Sequence, residues 1–92
     1  MSSVQNIKIN PDVIYQEVEG EVVLLNTESE KYFGLDSVGA KFWAIASETG
    51  NVNEIITRMY DIFDVERDRL TNDINILIKK MIDGGVLSGS AE

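Results

Sequence analysis

The sequence contains no cysteine and no histidine, and these absences remove most of the side chains that proteins use for catalysis and metal binding. Without cysteine the chain has no disulfide, thiolate metal ligand, iron–sulfur cluster or thiol nucleophile. Without histidine it lacks the side chain that most often transfers protons near neutral pH. Its acidic clusters lie in polar segments and do not have the spacing of a calcium-binding loop. We therefore expect no catalytic residue, no metal site and no cofactor.

Positive charge and long apolar runs are also scarce. Eight basic residues face sixteen acidic ones, which gives a formal net charge of -8. Such a chain is on average repelled by nucleic-acid phosphates and by anionic membrane surfaces. The apolar runs are short, and residues 1–10 lack the basic start and apolar centre of a secretion signal. We expect a cytoplasmic protein with no nucleic-acid partner and no membrane partner.

Proline and glycine are too few for a disordered polymer. With one proline, seven glycines and 43% hydrophobic residues, the chain has the composition of a globular domain. Its 92 residues suffice for one hydrophobic core and not for two. We expect a single domain over residues 1–92, with an ordered core over about residues 10–87 and a frayed tail at Ser88–Glu92.

Short runs of β-branched and aromatic residues in the first part of the chain predict three strands. These runs lie at about residues 13–18, 21–26 and 31–35, and polar connections of hairpin length separate them. The simplest connection is an antiparallel meander. In a meander the third strand lies at the edge of the sheet, with one side unpaired.

From Asp36 onward the apolar spacing changes from two residues towards 3.6, which predicts three helices. Asp36 or Ser37 caps the first helix, and Asn51 with Glu54 resembles a capping box at the start of the second. The third covers about residues 66–83. The predicted fold is therefore α+β, a three-stranded antiparallel sheet followed by three helices. Its core is expected to include Phe42, Trp43, Ile55, Leu70, Leu77 and Met81.

The predicted third strand is the most informative feature for function, and it comprises Lys31, Tyr32, Phe33, Gly34 and Leu35. Its free edge exposes N–H and C=O groups that another strand can pair with. Gly34 leaves room for a visiting backbone, and Tyr32 offers an aromatic face with a polar tip, but an ordinary edge strand has the same pattern. On the third helix, Ile76 lies away from the apolar arc, either as an isolated surface isoleucine, which is common, or as the floor of a groove beside the open strand.

Two other classes of protein fit the pattern. A winged-helix DNA-binding protein combines a small sheet with three helices, and the third helix here carries Arg67, Arg69, Lys79 and Lys80. Acidic residues alternate with these bases and leave the helix almost neutral, which disfavours DNA binding. A module that dimerises through the open strand edge is the other alternative.

Five segments in a fixed order carry a resemblance to a known family. Together they cover about 70 of the 92 residues, and they are Glu21–Asn26, Lys31–Asp36, Val38–Trp43, Val52–Ile56 and Leu70–Leu87. The most specific passage within them is Leu35-Asp36-x-x-Gly39-Ala40-x-x-Trp43. In this order and spacing the chain resembles the PqqD-like family, the recognition elements for ribosomally synthesised and post-translationally modified peptides (RiPPs). The resemblance implies a winged-helix-like arrangement of the three strands and three helices.

The resemblance implies a peptide-binding adaptor and not an enzyme. Family members bind the leader segment of a precursor peptide as an extra strand on the third strand, against the third helix, and present it to modifying enzymes. On this chain the strand partner is Lys31–Leu35, and the helix wall is formed by Leu70, Asp73, Ile74, Ile76, Leu77 and Lys80. Capture through main-chain hydrogen bonds needs no catalytic residue, which agrees with the missing histidine and cysteine.

The length of the chain favours one biosynthetic pathway over another. A separate protein of 92 residues resembles the discrete leader-binding proteins of lasso-peptide biosynthesis, which work with a leader protease and a cyclase. The alternative is a PqqD-type peptide chaperone for a radical S-adenosylmethionine enzyme of pyrroloquinoline quinone synthesis. In either pathway we expect a precursor peptide as partner, no nucleic acid, and a monomer or weak dimer.

Overall fold

The three strands that the sequence predicts form one antiparallel sheet in chain order. The computed structural model describes residues 4–19 and 21–90. Its elements in chain order are β1 (Asn6–Ile9), β2 (Val13–Val18), β3 (Glu21–Asn26), β4 (Tyr32–Leu35), α1 (Ser37–Ala46), α2 (Val52–Ile62), α3 (Arg67–Asp83) and β5 (Leu87–Ser90). Strands β2, β3 and β4 form an antiparallel sheet in that order, so that β2 and β4 are its two edges. The predicted α+β fold, with a three-stranded antiparallel sheet followed by three helices, is confirmed.

One face of this sheet packs on the helices because side chains alternate along a strand. Val22 and Leu24 of β3 are buried, and Leu35 and Phe33 of β4 stand opposite them in the register. Leu35 is buried as well, whereas Phe33 is only half-buried against the core. The core-facing side of β4 therefore continues the hydrophobic core up to the edge of the sheet.

Side-chain caps begin the first two helices at the predicted positions. The Asp36 carboxylate accepts a hydrogen bond from the Gly39 N–H at 2.8 Å, and the Asn51 side chain accepts one from the Glu54 N–H at 2.9 Å. Each bond satisfies a backbone donor that has no partner within its helix. No helix within residues 4–19 and 21–90 is long and apolar enough to cross a membrane.

The core lies between the sheet and the three helices. Five of the six predicted core residues are buried, and they are Phe42, Trp43, Ile55, Leu70 and Met81. The sixth, Leu77, is only partly buried and packs against the margin of the core. Leu77 lies on the side of α3 that turns towards β4, where the helix and the strand leave a groove between them.

The two ends of the chain form a second sheet that the sequence did not predict. β1 pairs with β5 in antiparallel register, with Ile7 opposite Gly89, and the Ile7 N–H also donates to the Gly50 carbonyl at 2.8 Å. The predicted frayed tail is therefore wrong for Ser88–Ser90, because strand pairing orders these residues, while residues 91–92 lie outside the described part of the chain. The predicted start of the ordered core near residue 10 likewise leaves out β1. Since β5 pairs with β1, it does not cover the edge of β4.

A buried asparagine joins the β3–β4 turn to the end of α3. The Asn26 side-chain amide donates to the Gly85 carbonyl at 2.9 Å, and its oxygen accepts from the Glu28 and Ser29 N–H groups within the turn. Asn10 donates to the same carbonyl at 2.8 Å. Buried polar groups that are fully paired fix their neighbours in place. Asn26 thus holds the start of β4 close to the C-terminal end of α3.

Candidate peptide-binding groove

The hydrogen bonding of β3 determines which groups of β4 face outward. The Asn26 N–H donates to the Lys31 carbonyl at 2.9 Å, which marks this pair as a hydrogen-bonded pair of the β3–β4 ladder. Hydrogen-bonded and non-hydrogen-bonded pairs alternate along an antiparallel ladder, so Phe33 and Leu35 bond to β3. The N–H and C=O groups of Tyr32 and Gly34 consequently point away from β3, towards the free edge of the sheet.

This free edge borders a groove whose other wall is α3. The half nearer the C-terminal end of α3, which we call the upper half, has a volume of about 620 Å³ and is lined by Glu30, Lys31, Tyr32, Phe33, Lys80, Asp83 and Gly84. The lower half has a volume of about 280 Å³ and is lined by Phe33, Gly34, Leu35, Asp36, Gly39, Leu77, Lys80 and Met81. Phe33 and Lys80 belong to both halves. The two halves together form one groove along β4.

A close contact between β4 and the end of α3 shapes the upper half. A Cβ atom built on Gly84 would overlap the Cε2 and Cζ atoms of the Phe33 ring. The ring therefore lies directly on the backbone of Gly84, which no other residue type would allow without movement. By contrast, a Cβ atom on Gly34 would meet nothing within 4 Å, so this position is open.

The wall of the groove on α3 follows one stripe of the helix. Leu77, Lys80, Met81 and Gly84 have the i, i+3, i+4, i+7 spacing that places residues on a single face. Leu77 supplies partly exposed apolar surface to this wall, Lys80 lies exposed on it, and Met81 is fully buried beneath it. Phe33 and Leu35 supply apolar surface from the strand. An extended chain in the groove would thus have apolar side chains on both flanks.

The structure brings together only part of the site predicted from the sequence. Lys31 and all four residues of β4 line the groove, as do Leu77 and Lys80. Leu70 and Ile74, which were expected on the helix wall, are 4% and 1% exposed and pack in the core. They support the groove from behind and offer it no surface.

The two remaining predicted residues lie outside the groove lining. Asp73 is exposed on the same helix stripe, one turn before Leu77, and Ile76 is 48% exposed on the outer flank of α3. Neither lines the two halves of the groove, so the structure does not place Ile76 at its floor. The sequence prediction missed Gly84, which continues the stripe of Leu77 and Lys80 by one helical turn, whereas Met81 on the same stripe lies in the core as predicted.

The groove carries charges of both signs and few groups for chemistry. Glu30 and Asp83 lie in the upper half together with Lys31 and Lys80, so that two acids face two bases. In the lower half the Asp36 carboxylate is already bound to the Gly39 N–H. Within residues 4–19 and 21–90 no three acidic side chains are grouped closely enough to hold a metal ion. What the groove offers is backbone hydrogen bonding and apolar contact.

Comparison with known proteins identifies the family. The model of the family of coenzyme PQQ synthesis protein D (PqqD) matches residues 21–87, which include β3, β4, all three helices and the first residue of β5. The chain belongs to the PqqD family. The resemblance predicted from the sequence is therefore confirmed, and the candidate groove lies entirely within the matched region. No curated protein is significantly similar to the chain in sequence.

Two solved structures share this PqqD-family fold. TbiB1, in complex with the TbiA(beta) leader peptide, is 29% identical with a TM-score of 0.84, and the match covers 92% of this chain and 99% of TbiB1. A lasso peptide synthetase B1, complexed with its leader peptide, is 18% identical with a TM-score of 0.81, covering 90% and 98% of the two chains. The second likeness concerns the fold alone. Both relatives were solved with a leader peptide bound.

Proposed function

We propose that this protein is a leader-peptide-binding adaptor of RiPP biosynthesis, which captures the leader of a precursor peptide by adding it as a strand to β4. The observation that carries the proposal is the coincidence of two features at one place. The free edge of β4 has two residues with outward-facing backbone groups, and an apolar groove against α3 runs along that same edge. Membership of the PqqD family and the leader peptide bound to TbiB1 support it.

The bound leader would be held in two ways. Its backbone would exchange hydrogen bonds with Tyr32 and Gly34, which gives affinity that depends little on sequence. Its alternate side chains would enter the groove with a spacing of about 6.5 Å, the distance between residues i and i+2 of a strand. Phe33 and Leu35 have this same spacing. Phe33 lines both halves of the groove, and Leu35 lines the lower half. Apolar leader residues at i and i+2 should therefore be preferred.

The adaptor role agrees with a groove that contains neither histidine nor cysteine. The chain has no histidine and no cysteine, and the groove is lined by apolar residues, glycines, one tyrosine and exposed charged residues. We infer that the protein presents the leader to other proteins and makes or breaks no bond itself. Incubation of a precursor with this protein alone should leave the mass of the precursor unchanged, whereas a mass change would contradict the adaptor role.

We infer that the protein acts in a lasso-peptide pathway. TbiB1, at 29% identity, was solved with a leader peptide, and the protein named as a lasso peptide synthetase B1 shares the fold of this chain. The modifying partners would then be a leader protease and a cyclase, met in the cytoplasm. The alternative is a peptide chaperone for a radical S-adenosylmethionine enzyme in pyrroloquinoline quinone synthesis, which the family description favours.

Peptide titration followed by NMR tests the proposal. The probes are the TbiA(beta) leader and a set of leaders from precursors encoded beside this chain, with duplex DNA as a comparison. Amide shifts should concentrate at Lys31–Leu35 and on the α3 stripe from Leu77 to Gly84, and DNA should cause none. Binding with shifts confined to β1, β5 or α2 would contradict the placement, and DNA binding would favour the winged-helix alternative.

A further inference from the structure

The same sheet has a second open edge, on β2. The Thr27 N–H donates to the Asp12 carbonyl at 3.0 Å, which marks this pair as hydrogen-bonded in the β2–β3 ladder. By alternation Ile14, Gln16 and Val18 bond to β3, and the backbone groups of Tyr15 and Glu17 point outward. The Val13 N–H points outward, as this alternation requires, and it donates to the Asn10 carbonyl at 3.1 Å.

This edge is long and has apolar side chains on it. β2 has six residues, and its side chains Ile14, Tyr15 and Val18 are 52%, 49% and 50% exposed. Among the described strands β2 pairs only with β3. An exposed edge of this length, with apolar side chains and unpaired backbone groups, is a template for pairing with another strand.

We propose that two copies of this chain dimerise by antiparallel pairing of their β2 strands about a two-fold axis at Gln16. In this register Tyr15 of one copy faces Glu17 of the other, and the reverse pair follows by symmetry. Tyr15 and Glu17 are the residues whose backbone groups point outward, so both pairs exchange N–H and C=O bonds. A register shifted by one residue would place inward-facing groups against outward-facing ones and form none of these bonds.

The side chains fit the same register. On the outer face of the sheet, Ile14 of each copy stands opposite Val18 of the other, which gives two apolar cross-strand pairs. On the opposite face, Tyr15 stands opposite Glu17, so that the two glutamates do not face each other directly. Among the symmetric registers that the hydrogen-bonding phase allows, the axis at Gln16 is the one that pairs Ile14 with Val18.

The other edge of the sheet is less suited to a second copy. The edge of β4 lies beside α3, and the groove between them admits a single extended chain more readily than a folded domain. Pairing through β2 instead yields a continuous sheet in the order β4-β3-β2-β2-β3-β4, with a free β4 edge at each end. The dimer and a bound peptide would not compete. This inference does not depend on the proposed function.

The acidic charge of the hairpin makes the dimer weak and dependent on salt. Glu17, Glu19 and Glu21 lie on or next to β2, and pairing brings two such sets together. Repulsion between exposed charges is largely screened once the Debye length falls to a few ångströms. A strand pair also buries less than the roughly 1,200 Å² of a stable interface, so we expect a dissociation constant of about 0.1 mM.

Sedimentation velocity at about 0.02 M and about 0.5 M NaCl tests the dimer, with matched variants at one position. Glu17→Pro removes an outward N–H without touching the β2–β3 bonds, and it should leave only monomer at both salt concentrations. Glu17→Gln removes the same charge but keeps the N–H, and it should dimerise at least as strongly as the parent chain. Equal dimerisation of both variants, or a monomeric parent chain at millimolar concentration and high salt, would overturn the proposal.

A charge-pair experiment tests the register even if Glu17→Pro destabilises the fold. Ile14→Glu and Val18→Lys should each weaken self-association at least tenfold, since each places a charge against an apolar side chain. An equimolar mixture should restore the dimer, because position 14 of one variant then faces position 18 of the other as Glu against Lys. A mixture that stays monomeric would refute the register. A dimer that dissociates when leader peptide is added would refute the use of β2 and indicate pairing through β4.

Discussion

The ring of Phe33 rests on the backbone of Gly84, and this contact joins the edge strand β4 to the C-terminal end of α3. Phe33 is also the side chain that lines both halves of the groove. Its position therefore sets the width between the strand and the helix. Glycine at position 84 has φ of -83°, a value that any residue adopts, so the requirement for glycine there is steric and not conformational.

Replacing Gly84 with Ala should distort the groove. The new methyl group overlaps the Phe33 ring, and relieving such an overlap typically costs about 1–3 kcal/mol. We expect a lower unfolding midpoint, a shifted Phe33 ring in the NMR spectrum, and leader affinity reduced about tenfold. Lys79→Ala, at an exposed position near the C-terminal end of the same helix and outside the groove, is the control. Unchanged leader affinity together with an unmoved Phe33 ring would show that this contact does not shape the site.

Proline at Gly34 should abolish strand addition without unfolding the domain. Gly34 directs its N–H outward, so proline removes a donor to the peptide and leaves the β3–β4 bonds intact. Leader affinity, measured by fluorescence anisotropy, should fall at least tenfold while the circular dichroism spectrum is retained. The same substitution on the opposite edge, Glu17→Pro, should leave leader affinity within about twofold. Equal losses from both variants would mean that proline acts through the stability of the sheet.

Removing the single tryptophan should cost stability and not specificity. Trp43 of α1 is buried in the core, away from the residues that line the groove. Trp43→Ala should lower the free energy of unfolding by about 3–5 kcal/mol, a large share of the stability of a domain this small. Urea denaturation measures this change, with Lys41→Ala on the exposed side of α1 as a control that should change it little. A loss well below about 2 kcal/mol would mean that the core is not centred on α1.

The C-terminal strand can be tested for its part in the fold. The Asn10 N–H donates to the Val86 carbonyl at 3.1 Å, so alternation makes Lys8 and Ser88 a hydrogen-bonded pair. Ser88→Pro breaks that pair and should lower the free energy of unfolding by about 1–3 kcal/mol. Ser88→Ala keeps the N–H at an exposed position and should be almost neutral. If both variants unfold alike in urea, β5 contributes nothing to stability.

The sequence predicted the elements whose pattern is local. The apolar run of β3 and the 3.6-residue period of α3 are visible in the residues themselves, and the caps at Asp36 and Asn51 marked the starts of α1 and α2. β1 and β5 were missed for the opposite reason. β5 reads Leu-Ser-Gly-Ser, which has no strand pattern of its own, and it becomes a strand only because β1, far away in sequence, pairs with it.

For the candidate site, the strand edge was easier to predict from the sequence than the helix wall. The meander order of the strands was enough to indicate that β4 forms an edge, and the structure has it there. The helix wall was harder, because a helical period separates the apolar arc from the polar side but does not say where the arc meets the strand. Leu77 and Ile74 are three residues apart and both apolar, yet one borders the groove and the other lies in the core. Only the packing angle of α3 on the sheet decides between them.

Amide hydrogen exchange, measured residue by residue with and without a saturating leader peptide, tests strand addition to β4 most directly. In the free protein the Phe33 and Leu35 N–H groups bond to β3, and those of Tyr32 and Gly34 face solvent. Peptide binding should slow exchange at Tyr32 and Gly34 by at least about tenfold and change Phe33 and Leu35 much less. A peptide that binds while exchange at Tyr32 and Gly34 stays unchanged would contradict the account.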